Sequence, residues 1–159
     1  MERKIVRTAD GSTTIFIPEW DEHYHSKHGA LQEAYHVFLK QGLEVVRQLI
    51  EKEVISIMEI GFGTGLNAFI TLMEAERSGF HVDYTGIEAY PVSPEELRSL
   101  NYAELFREEN AKKYFTRLHE LPWEVKQEVS SYFKIEKKKQ FFHDINAESS
   151  YNLIFFDAF

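Results

Sequence analysis

Apolar and polar positions divide the chain most sharply between Val54 and Glu88. The run VISIMEI places Val54, Ile55, Ile57, Met58 and Ile60 in a short β-branched stretch, which predicts a buried strand. It leads directly into Gly61-Phe62-Gly63-Thr64-Gly65. From Leu66 to Ser78 the spacing becomes helical, with Ala68, Phe69, Leu72, Met73 and Ala75 on one face and Gly79 as the stop. Val82 to Glu88, VDYTGIE, then predicts a second parallel strand. Strand, glycine turn and helix form a nucleotide-binding crossover.

The flanking pattern fits around this unit. Ile5 to Ile17 alternates apolar and polar about Asp10-Gly11, a favoured pair for a tight turn, and predicts a β-hairpin. Ala30 to Lys40 predicts an amphipathic helix that Gln41-Gly42 ends, and Leu43 to Lys52 a second, with Val45, Val46, Leu49 and Ile50 inward. Ser93, Pro94, Glu95 and Glu96 are the N-cap, first position and acidic first turn of a further helix. The pattern stays helical and charged to Phe133, with a break at Leu121-Pro122-Trp123. Phe133 to Phe142 predicts an edge strand guarded by Lys137-Lys138-Lys139. Tyr151 to Phe156 is apolar throughout and predicts a central strand. The expected class is α/β, a partial parallel sheet with flanking helices in one domain over 1–159. Residues 1–29 form an N-terminal hairpin and loop, and 30–159 the parallel sheet with its helices.

Composition narrows this picture. The 159 residues with 43% hydrophobic content suffice for one domain with its own core. With no cysteine, disulfides and thiolate metal sites are excluded, in keeping with a reducing, cytoplasmic setting. No apolar run is long enough to cross a bilayer, so no membrane partner is expected. The net charge of −8 argues against a broad nucleic-acid footprint. His23, His25 and His28 lie close together but without matching carboxylate spacing. They are read as an ordered lining or packing segment, and no metal is expected.

The chemistry rests on the glycine turn. Its spacing is G-x-G-x-G, not the G-x-G-x-x-G that seats a dinucleotide pyrophosphate. Glu59 at the strand end repels a phosphate but suits a cationic amino group. E-x-G-x-G-x-G resembles the first motif of S-adenosylmethionine-dependent methyltransferases, with Glu59, Gly61, Gly63 and Gly65 as cofactor residues. Asn67 either holds the ligand or caps the helix. Glu88 stands where a carboxylate accepts from both ribose hydroxyls, about 20 residues past the glycines. In that class an acid and an apolar side chain hold the adenine, and Asp144 and Ile145 are placed for it. Asp157 follows the last strand, at the sheet end where the methyl donor lies. The lysine run contacts phosphate or is a solvated edge.

Taken together, the hairpin, DEHYHSKHGALQEAYHVFLKQGL, EIGFGTGLNAF, TGIEAYPV and LIFFDAF resemble the methyltransferase component of the MnmC family. The resemblance implies a Rossmann-like class I S-adenosylmethionine-dependent methyltransferase fold of the stand-alone type, with no flavin domain. It implies methyl transfer to the primary amine of 5-aminomethyl-2-thiouridine at the wobble position of tRNA. Asp157 would orient the amine, and Ala158 and Phe159 would shape the pocket for a flipped-out base. The anticodon loop of tRNA is the implied partner. Family members continue past the DAF triplet, so the expectation here is a truncated sheet that binds cofactor weakly and turns over poorly. A small-molecule N- or O-methyltransferase, or a cofactor-binding fragment without activity, is the alternative.

Overall fold

The computed structural model describes residues 2–158. It contains a small three-stranded antiparallel sheet and a five-stranded mixed sheet. The small sheet comprises β1 (Lys4–Arg7), β2 (Thr13–Ile17) and β3 (Glu22–His23) in that order. The hairpin is present, but Arg7 pairs with Thr13, so a loop over residues 8–12 replaces a two-residue turn. Asp10 holds that loop, its carboxylate accepting from the Ser12 amide at 3.0 Å and from the Thr8 hydroxyl at 2.8 Å. β3, which carries His23, is a strand that the alternation did not announce, because two residues are too few to show it.

Helix α1 (Ala30–Ala34), a wide-turn segment (Tyr35–Leu43) and α2 (Glu44–Leu49) form one continuous rod, not two helices separated at Gly42. Gly42 acts by its size: a Cβ there would lie 3.2 Å from Cε1 of Phe155. The end of the rod is less buried than its pattern predicts, with Val45 and Leu49 exposed.

The large sheet runs β6-β7-β5-β4-β8, built from β4 (Val54–Ile60), β5 (His81–Ile87), β6 (Gln127–Ser130), β7 (Phe133–Lys138) and β8 (Leu153–Phe156). β4, β5, β7 and β8 are parallel, and β6 is antiparallel to β7. α3 (Leu66–Ser78) has the expected ends, from Gly65 to a left-handed Gly79 with φ 67°. α4 (Pro94–Arg98) opens on a reciprocal capping box between Ser93 and Glu96. α5 (Ala111–Glu120) completes the helices.

Two strand assignments change. β7 is interior, because the short polar β6 covers its outer side; Lys137 is only 2% exposed and not a solvated guard, its side chain lying against the His119 carbonyl and the Trp123 ring. β8 pairs with β4 alone among the described strands, so it forms an edge instead of a central strand. Register and alternation place Ile55, Ile57, Val82, Tyr84, Phe133, Ile135 and Phe155 on one sheet face, all buried. On the opposite face Val54, Ile154 and Phe156 are exposed.

Candidate functional site

The site forms where β4, β5 and β8 end together. Gly61 and Phe62 both donate their amides to the Ile87 carbonyl, at 3.0 and 2.9 Å, which folds the glycine turn back over the end of β5. Gly61, Gly63 and Gly65 have φ of 90°, 50° and 73°, the left-handed region in which a side chain is strained. Gly61 has a second reason: a Cβ there would lie 2.6 Å from the Asp157 carbonyl oxygen. The loop and the turn after β8 thus meet backbone to backbone.

Beneath the loop lies a cluster of acids. Glu59, 1% exposed, accepts from Tyr84 Oη at 2.8 Å and from Asn67 Nδ2 at 2.9 Å. The same Asn67 nitrogen donates to Asp157 Oδ2 at 2.9 Å, so one amide bridges two carboxyl groups. Asn67 Oδ1 is buried without a hydrogen-bond partner. Asn67 does not cap α3: its helix starts at Gly65 with no side-chain cap. Burial, and next the Asp157 charge, push the Glu59 carboxyl well above the usual carboxylate range. Burial raises Asp157 to about 6, against the lowering effect of Asn67. Tyr84 is likewise raised, by burial and then by Glu59.

Glu88 closes the other side. Its carboxylate accepts from the Gly63 amide at 2.8 Å and the Tyr90 amide at 2.9 Å, tying the loop to the end of β5. Glu59, Asn67, Glu88 and Asp157 line one cavity of about 120 Å³ together with Gly61, Gly63, Ala158 and Tyr90. Its roof comes from the small sheet and the segments flanking its strands, through Arg3, Ile17, Trp20, Tyr24 and His25. Tyr24 lies over Gly63, with its Cδ2 3.2 Å from where a Cβ would stand. Arg3 clamps the roof to the main body, donating to the Tyr90 carbonyl at 3.0 Å and pairing with Glu96 at 3.3 Å.

Of the sequence-predicted residues, Glu59, Gly61, Gly63, Asn67, Glu88, Asp157 and Ala158 share this cavity lining. Gly65 lies just behind it: a Cβ there would meet the His119 ring at 2.8 Å. Asp144 and Ile145 lie outside it, in and just after the exposed turn Phe142–Asp144, where Asp144 faces His143 at 3.5 Å. Phe159 lies outside the described residues. The histidines diverge: His23 packs tilted against Phe16 with ring centres 4.4 Å apart, and the His25 ring meets the Thr14 hydroxyl at 3.0 Å. Burial holds His25 at about 4, hence neutral. Among the described residues no group of three His, Cys, Asp or Glu gathers as a metal site. Arg3, Trp20, Tyr84 and Tyr90 were missed, and only the buried alternation of β5 offered any signal, for Tyr84. Lys137 also has a specific setting: Nζ donates to the His119 carbonyl at 3.0 Å and sits 5.3 Å from the Trp123 ring centre. Burial lowers it to about 8.

No family model matches the chain. Over 90 residues, 55% of the chain, it is 32% identical to the tRNA 5-methylaminomethyl-2-thiouridine biosynthesis bifunctional protein MnmC of Paraburkholderia xenovorans, covering 14% of that protein. Over 92 residues it is 36% identical to the MnmC of Cupriavidus metallidurans, again 55% of the chain and 13% of that protein. Over these stretches the chain is similar to the MnmC proteins. It spans about a seventh of the length of the MnmC relatives, 14% for the Paraburkholderia protein. The crystal structure of MNMC2 from Aquifex aeolicus superposes with a TM-score of 0.58 at 24% identity, over 86% of this chain and 41% of that one. That similarity supports the α/β fold. Among the described residues no helix is long and apolar enough to cross a membrane.

Proposed function

We propose that the chain carries the cofactor site of an S-adenosylmethionine-dependent methyltransferase that modifies the wobble uridine of tRNA. The observation that carries this reading is the convergence of Glu59, Asn67, Glu88 and Asp157 with the glycine turn on one cavity. Two acids without a cationic partner among the described residues, a buried amide oxygen unpartnered among them and a left-handed glycine loop fit a nucleoside bearing an ammonium group. S-adenosylmethionine supplies an activated methyl group when bound. In this reading Glu59 and Asn67 hold the amino end, Glu88 takes the ribose hydroxyls, and Asp144 and Ile145 flank the adenine. Asp157 orients the attacking amine and accepts its hydrogen bond. An alkylamine has a reference pKa of ~10.4 and must lose a proton before it attacks. Alignment of amine, methyl and sulfonium is the protein's main contribution, a matter of several kcal/mol.

The relatives' names speak of tRNA 5-methylaminomethyl-2-thiouridine biosynthesis; in this reading the substrate is 5-aminomethyl-2-thiouridine of tRNA and the setting is the cytoplasm. A cofactor-binding module without turnover is the second reading, favoured by the open side of β8 next to Asp157. The deciding experiment is calorimetric titration of S-adenosylmethionine into the purified chain, with Gly63→Val as control. Binding that the variant abolishes, followed by labelled methyl transfer to hypomodified tRNA, is the expected result for an active enzyme. Binding without transfer selects the module. A folded chain that binds no S-adenosylmethionine rejects both.

A further inference from the structure

The Glu59, Asn67 and Asp157 cluster has an imbalance that its hydrogen bonds do not remove. Both carboxyl oxygens lie 2.9 Å from the same amide nitrogen, which places them within about 6 Å of each other, close enough for strong mutual repulsion when both are ionised. The groups facing the pair come from β5 and the turn after it, α3, α1 and the roof. Tyr84 on β5 donates a neutral hydroxyl, Asn67 on α3 donates its amide, Glu88 follows β5, and Glu33 on α1 adds negative charge toward Asp157. From the roof, Arg3 is spent on Glu96 and the Tyr90 carbonyl, and His25 bonds Thr14. Among the described residues no Lys, Arg or His forms an ion pair with Glu59 or Asp157. Asn67 Oδ1, buried and unpartnered in the same lining, is a further acceptor awaiting a donor.

We propose that the unliganded site keeps one proton on the Glu59–Asp157 pair, and that an alkylammonium group entering the cavity expels that proton to solvent. The step balances simply: one carboxyl O–H bond breaks, the proton leaves to water, and the ammonium keeps its hydrogens and pairs with the carboxylate formed. The upward shift of both acids agrees in direction. Binding of a cationic ligand is thereby linked to pH, with affinity rising as pH rises until the free pair has lost its proton. The proposal rests on the cofactor reading for its natural ligand, but it concerns the acids and is testable apart from turnover.

The test compares S-adenosylhomocysteine with 5′-methylthioadenosine, which shares the nucleoside and thioether but lacks the ammonium-bearing end. Calorimetry between pH 5 and 8, in buffers of different ionisation enthalpy, counts protons released on binding. The expected result is about one proton released per S-adenosylhomocysteine, with affinity rising up to about tenfold per pH unit below the transition, and none for 5′-methylthioadenosine. Glu59→Gln should abolish the release; Asn67 can turn its free oxygen toward the new amide, so this variant is expected to fold. Equal proton release for both nucleosides, or none for either, overturns the proposal. Where neither nucleoside binds, the cofactor reading fails and the infrared C=O band of a protonated carboxyl decides. Its presence near neutral pH, its loss in the Glu59→Gln, Asp157→Asn double variant and its loss on adding methylammonium would uphold the proposal, and its absence would end it.

Discussion

Asp157 enters the folded state with its carboxyl raised by burial from 3.8 to about 6, so the native chain binds more protons than the unfolded chain between those values. Stability from this group is therefore present below pH ~4 and lost as pH rises through about 6. Asp157→Asn keeps an acceptor for Asn67 and removes the buried charge. The variant is expected to gain about 1–2 kcal/mol over the parent at pH 8 and little at pH 4, read from urea unfolding; an equal effect at both pH values refutes the assignment. Gly61 makes the opposite kind of demand, on space and backbone. Gly61→Ala puts a methyl group 2.6 Å from the Asp157 carbonyl at φ 90°. A loss of roughly 2 kcal/mol or more is expected in thermal unfolding, together with loss of the cavity. Glycine spacing and the acids at strand ends were legible because the turn is local chemistry. Tyr84 and Asn67 as partners of Glu59 were not, since hydrogen bonding across strands and helix leaves no mark on neighbouring positions.

Elements were legible where their ends carry their own signals. α3 lies between Gly65 and Gly79, and α4 begins at the Ser93 capping box, as expected. The rod over residues 30–49 was split in expectation because Gly42 reads as a stop, whereas its role is set by Phe155, remote in sequence. β6 has four residues, QEVS, too few and too polar to show a period, and its omission made β7 seem an edge. The roof over the site is the clearest case of a nonlocal assembly. Arg3, from β1's leading residues, links the small sheet to Tyr90 and Glu96 on the side over Gly63, while Asn101 ties its far end through Thr13 and Gly11. Arg3→Met keeps much of the stem packing but removes both contacts. A cost of about 1 kcal/mol is expected, with hydrogen exchange accelerating at Thr14 to Ile17 and not in β4. Uniform acceleration across both sheets would show that Arg3 does not act as a local clamp.

At the scale of the whole molecule, the two faces of the large sheet have unequal cover. One face is sealed: Ile57, Tyr84, Phe133 and Phe155 are nearly inaccessible. The other leaves Ile154 55% and Phe156 63% exposed, on a strand that pairs on one side only among those described. Parallel strands this apolar ordinarily have both faces covered, and an open apolar edge invites pairing with another chain. The net charge of −8 works against that association by repulsion, most strongly at low ionic strength. These two forces predict the sign of a salt effect. Sedimentation velocity at tens of micromolar should show self-association that strengthens between about 20 and 300 mM salt, as screening weakens repulsion while apolar contact persists. Ile154→Glu should keep the chain monomeric across that range with unchanged circular dichroism, because position 154 bears on the exposed face and not on the face packed against the rod. If association instead weakens with salt, or survives Ile154→Glu, its origin lies in ion pairs or another surface, and β8 is not the edge through which copies meet.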